Sequence, residues 1–109
     1  MHEIFRSLPW PFEQAEFPPN LGAVVQWTVA NGDYPALFVG HAHDNSWLVG
    51  DGVSDPNVAG ACAAMCIWAA IEHDSSMQAL ADLPAGWAAE RDTASDPWRR
   101  APFQLLTCG

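Results

Sequence analysis

Two histidines one residue apart, His41-Ala42-His43, followed directly by Asp44, have the clearest capacity for chemistry in this chain. On a strand, residues i and i+2 share a face, so the two imidazoles could begin a metal site with the Asp44 carboxylate beside them. A second group, Cys62, Cys66 and His73, would share one side of a helix, at steps of four and seven residues, and could be drawn as a mixed zinc site. Neither group has a zinc-finger or zincin spacing, and cysteines in an alanine-rich apolar run are ordinarily core. No metal and no cofactor are expected, and His41 and His43 stand as the weak metal candidates. Asp51 with Asp55, or Asp44 with Asp51, could act as acid and base, but Asp-Gly and Asp-Pro contexts signal turns. Gly50-Asp51-Gly52 lacks the spacing and the following lysine of a phosphate loop. No nucleophile elbow, kinase signature or dinucleotide fingerprint is present, so the balance of motifs falls against an enzyme.

The elements that would position these residues are organised around the run from Asn57 to Arg91. Val58 to Ile71 carries no charge and is rich in alanine, which has no side-chain entropy to lose, and this predicts one long helix of about four turns. Apolar all round, it must be covered all round, and it is too short for the roughly 20 residues that span a bilayer. Its outer side is expected to be capped by another segment or by a second copy, which admits a homodimer. Ser75 and Gln78 have the form of a capping box and Pro84 stops a helix, so a second short helix is expected from Ser76 to Leu83. Gly22 to Ala30, Ala36 to Val39 and Ser46 to Val49 read as strands joined by turns at Asn31-Gly32-Asp33 and His43-Asp44-Asn45, an antiparallel meander. Trp87 to Arg91 is a further strand. Pro9, Pro11, Pro18 and Pro19 make residues 1–21 an extended arm whose aromatics wrap the domain. Residues 92–109 read as an irregular tail. The expected fold is α+β in one domain over residues 1–109: a small antiparallel sheet packed against one long apolar helix, with a second short helix and a proline-rich N-terminal arm.

Composition narrows the partners. The 109 residues include four arginines, no lysine and thirteen acids, for a formal charge of -9. Nucleic acid and anionic membranes both require basic side chains, so neither is expected as a partner. An acidic surface instead favours encounter with a basic protein. The N-terminus lacks the basic end and apolar core of a signal peptide, and Cys62, Cys66 and Cys108 form no disulfide framework, so a cytoplasmic, reduced protein is expected.

Asp44-Asn45-Ser46-Trp47 with Gly50-Asp51-Gly52, then Ile71-Glu72-His73-Asp74, Leu80, Leu83-Pro84-Ala85-Gly86-Trp87 and Glu90-Arg91, form an ordered set of motifs from Val24 to Trp98. The set resembles a group of small bacterial proteins of unknown function, some labelled immunity-protein-like, that carry an Asp-x-x-Trp turn and a Leu-Pro-x-Gly segment. Ser46 stands where that group tends to have glycine, and Ser75 where it tends to have proline. The resemblance implies a sheet with helices and a role in binding a toxin, with no catalytic residues to carry over. The expected function is a non-enzymatic protein-binding module, of immunity type, that takes a basic toxin-like protein through Asp33, Asp44, Asp51, Asp55 and Trp47. The alternative is a small ligand- or metal-binding domain, or an enzyme, with a site near His41, His43 and Trp47.

Overall fold

The computed structural model describes residues 10, 12, 16–52 and 58–102. In chain order the elements are β1 (Gly22–Gln26), α1 (Trp27–Ala30), β2 (Phe38–His41), β3 (Trp47–Gly50), β4 (Cys62–Cys66), α2 (Trp68–Ile71), a 3-10 helix (Ser75–Leu80), β5 (Trp87–Glu90) and β6 (Arg99–Pro102). Among the described residues the six strands form one mixed sheet in the order β4-β1-β3-β2-β5-β6.

This architecture corrects the expected fold of an antiparallel sheet against one long apolar helix. The segment read as that helix holds a strand and one helical turn: Cys62–Cys66 pairs along its whole length with β1, from Gly22 opposite Cys66 to Gln26 opposite Cys62. Gly60, at φ +79°, sits in the left-handed region, and Ala61 N–H closes a turn onto the Val58 carbonyl, so no helix can pass through this point. Beyond it, Cys62, Ala64 and Cys66 face one side and Ala63 and Met65 the other. Small apolar residues satisfy a period of 2 as well as one of 3.6, and the sheet partner decides between them. The outer helical face on which the homodimer expectation rested is therefore absent. The helices that do form span four, four and six residues.

The expected meander is also changed. β1 ends at Gln26 and α1 turns the chain away, so β3, not β2, lies beside β1, and the pair is parallel, with Val24 opposite Leu48 and Val25 opposite Val49. β2 and β3 keep the expected antiparallel hairpin, with His41 opposite Trp47. The second short helix is a 3-10 helix capped by the Asp74 carboxylate, which accepts from Ser76 N–H, in place of the Ser75–Gln78 box. Arg99–Pro102, inside the segment expected to be irregular, is a strand on β5, with Glu90 opposite Arg99 and Trp87 opposite Pro102. Pro102 ends that strand, where a missing N–H costs least.

One face of the sheet carries the core. Ala23, Val25, Val39, His41, Trp47, Val49 and Ala89 point to it and are buried, under Ala70 and Ile71 of α2, Met77 and Leu80 of the 3-10 helix, and Phe12 and Phe17 of the arm. Each large side chain so buried contributes about 1.5–3 kcal/mol. No helix among the described residues is long and apolar enough to cross a membrane.

Candidate functional site

Of the three residues with the clearest capacity for chemistry, His41 lies inside the protein while His43 and Asp44 are exposed. His41 is 0% exposed, with Trp47 stacked on it at 4.0 Å and 12° between ring planes and Trp10 edge-on at 5.7 Å. Its Nδ1 lies 2.6 Å from the Leu83 carbonyl oxygen, which only accepts, so Nδ1 carries a proton and donates. Nε2 lies 2.6 Å from Oδ1 of Asn45, the residue at φ +72° that closes the three-residue hairpin loop. Gly86 N–H donates to the His41 carbonyl, and a Cβ on Gly86, at φ +87°, would come within 2.6 Å of the His43 ring. The Asp-x-x-Trp turn and the Leu-Pro-x-Gly-Trp segment thus recognise each other: Leu83 holds the His41 ring, and the glycine leaves room for His43. Of the residues expected near a ligand or metal site, His41 has both ring nitrogens within hydrogen-bond distance of the chain's own oxygens and Trp47 is 1% exposed. His43 is exposed on the turn. Cys62 and Cys66, four residues apart on a strand, stand about 13 Å from each other and do not converge with His73 as they would on a helix. Among the described residues no three of His, Cys, Asp and Glu come together in a group that could hold a metal ion.

The second motif pair, Glu72-His73-Asp74 and Glu90-Arg91, forms a clasp. Arg91 is 4% exposed; its Nε and Nη2 donate to the Ala36 carbonyl at 3.0 and 2.8 Å, and its Nη1 to the Ala94 carbonyl at 3.1 Å. Nη2 also pairs with the Asp74 carboxylate, and the guanidinium lies 4.1 Å over the Trp98 ring. Burial pushes the Asp74 carboxyl up, but hydrogen bonds from Ser76 and the Arg91 charge outweigh it, and the net shift is downward. A carboxylate held below its unfolded value stabilises the fold above that unfolded value and loses the contribution as pH falls through its own. Urea midpoints measured from about pH 7 to about pH 3 should therefore fall in acid, and Asp74→Asn should lower the midpoint at neutral pH while flattening the acid limb.

The aspartates expected to meet a partner do not form one surface. Asp33 is exposed in the loop after α1. Asp44 is exposed at the closed end of the hairpin, where it accepts from Ser46 N–H at 3.0 Å. Asp51 is 0% exposed: it accepts from Thr28 Oγ1 at 2.7 Å and donates its N–H to Gln26 Oε1 at 2.7 Å, tying the end of β3 to β1 and α1. Of the residues expected to meet a partner, Asp51 and Trp47 are buried, and Asp55 lies outside the described residues. Burial, and then the Asp51 charge, push the Cys62 thiol up, which leaves it protonated and a poor nucleophile near neutral pH.

Charge is distributed unevenly. Each described arginine faces a carboxylate of its own chain: Arg91 with Asp74, Arg99 with Asp92 at 3.2 Å, and Arg100 with Asp82 at 2.7 Å. Exposed Glu16, Asp33 and Glu72 have no ion pair among the described residues. Of these, Glu72 lines a groove of about 500 Å³, together with Pro19, Ala30, Cys66, Trp68 and His73. His73 closes one wall, its Nε2–H donating to the Ala30 carbonyl at 3.1 Å and its ring 3.0 Å from where a Cβ on Gly32 would fall. Trp68 is fixed by its indole N–H to the Phe17 carbonyl at 2.9 Å. A smaller hollow of about 220 Å³, on the sheet face away from the core, is apolar apart from Gln26 and Cys62 and is lined by Val24, Phe38 and Leu48. Glu72 is the residue that the sequence left inside a polar break; its position four residues after Trp68, on one helix face, was the available signal. No family model, characterised protein or solved structure was found to match the chain.

Proposed function

We infer that the chain is a cytoplasmic, non-enzymatic protein-binding module of immunity type, whose acidic surface takes and occludes a basic, toxin-like protein. The observation that supports this reading is the charge arrangement. Described arginines are neutralised within the chain, while Glu72 stands on the wall of an open groove and Asp33 is exposed, neither in an ion pair among the described residues. Uncompensated surface charge of one sign accelerates encounter with a partner of the other and makes the complex sensitive to salt. The motif residues act in this account as the frame: the His41–Leu83 and Arg91–Asp74 contacts hold the loops from which the carboxylates project.

The test is affinity capture of the tagged chain from lysate of its host at low salt, followed by a high-salt wash and mass spectrometry. A discrete basic protein released by salt is the expected result. Recovery of the chain alone, in cells where a toxin is expressed, or of a partner that high salt does not release, would overturn the reading.

A further inference from the structure

The protein already contains one worked example of how it holds a guanidinium. Arg91 lies over the ring of Trp98 at 4.1 Å while the Asp74 carboxylate takes its Nη2, an aromatic face and an anion acting on one planar cation. The groove between α1 and α2 presents the same pair of groups from its own wall. Trp68 and Glu72 are separated by four residues, which places them on one side of α2. The Trp68 ring is pre-positioned by its bond to Phe17, so no rotamer freedom remains to be lost on binding. Glu72 has no ion pair with a cation of this chain among the described residues.

Resting on the protein-binding reading above, we propose that this groove receives an arginine side chain of the basic partner, stacked on Trp68 and paired with Glu72. Arginine is favoured over lysine because its planar fork can stack and bond a carboxylate through two N–H groups at once, whereas an ammonium is a compact, strongly hydrated point charge.

The experiment is an NMR titration of the full-length, ¹⁵N-labelled chain at low salt with acetyl-Gly-Arg-Gly-amide, and with the lysine and citrulline versions of that peptide. The arginine peptide should give saturable shifts at the Trp68 indole N–H and the Glu72 and His73 amides. The lysine peptide should bind at least about threefold more weakly and the neutral citrulline peptide not measurably. Glu72→Gln should weaken the arginine peptide by about fivefold or more, and Glu90→Gln, elsewhere on the surface, should leave it unchanged. Absence of shifts at the groove, shifts spread evenly over the acidic surface, or equal affinity in Glu72→Gln would overturn the assignment. If Glu72→Arg still captures the same salt-released basic protein from lysate, the groove assignment fails and the protein-binding reading stands. If the wild-type chain captures none, both fail.

Discussion

Arg91→Ala is expected to cost about 3–5 kcal/mol of folding stability, because removing one member of a buried ion pair strands the other members. Without the guanidinium, the Ala36 carbonyl loses two donors, the Ala94 carbonyl one, the Asp74 carboxylate its counter-charge and the Trp98 ring its cation. These contacts join the chain ahead of β2 to the start of the 3-10 helix and the segment after β5. The damage therefore reaches three elements at once. Arg91→Lys should recover only part of the loss, since an ammonium cannot reach both Ala36 and Ala94 while lying flat on Trp98. The check is urea denaturation followed by tryptophan fluorescence: a midpoint lowered by 1 M or more against an unchanged slope is expected, given that a small domain loses about 1–3 kcal/mol per molar urea. A midpoint within experimental error of the wild type would mean that the clasp is only an exposed surface pair.

The second large effect belongs to His41. His41→Ala should destabilise by about 3–4 kcal/mol, combining the cavity left under Trp47 with the loss of the donor to the buried Leu83 carbonyl. Three consequences converge on one ring: the stack on Trp47 at 4.0 Å is lost, the Leu83 carbonyl is left without its 2.6 Å donor, and Asn45 loses its ring partner at the hairpin turn. His41→Phe fills the volume but supplies neither hydrogen bond, so it should sit between the wild type and the alanine variant. Thermal unfolding by calorimetry ranks the three proteins. An order in which the phenylalanine variant equals or exceeds the wild type would show that the ring acts as packing alone.

Both predictions treat the motif residues as structural, and this explains what the sequence could and could not disclose. The strands β2, β3 and β5 were legible within a residue or two, since Ala36–Val39, Ser46–Val49 and Trp87–Arg91 are short apolar runs between strong turn residues. The hairpin loop was legible for the same reason, with Asn45 at the left-handed position that this residue type tolerates. The run from Val58 to Ile71 was not. Alanine, cysteine and methionine there carry no pattern that separates a helix from a strand, and only Gly60 marked the break. β6 was hidden because Arg99-Arg100-Ala101-Pro102 has no strand-like composition and is held by its pairing with β5.

The candidate site was legible in part for a related reason. An aspartate in a turn can project into solvent or fold back onto its own backbone, and the sequence does not distinguish these. Asp33 projects, whereas Asp51 is consumed by Thr28 and Gln26 across 23 and 25 residues of chain separation. Trp47 reads as a possible surface anchor until the arm brings Phe12 and Phe17 over it at 6.0 and 5.0 Å between ring centroids. Glu72 could not be ranked above the other acids without the knowledge that α1, His73 and Pro19 enclose a groove around it.

The measurement that bears most directly on the central claim is the salt dependence of affinity between the chain and the basic protein it captures, for wild type and for Glu72→Gln. The account predicts that log affinity falls with log salt concentration, and that the variant binds more weakly at low salt with a shallower slope, the two proteins converging as salt screens the carboxylate. An affinity indifferent to salt, or the same slope in both proteins, would contradict it.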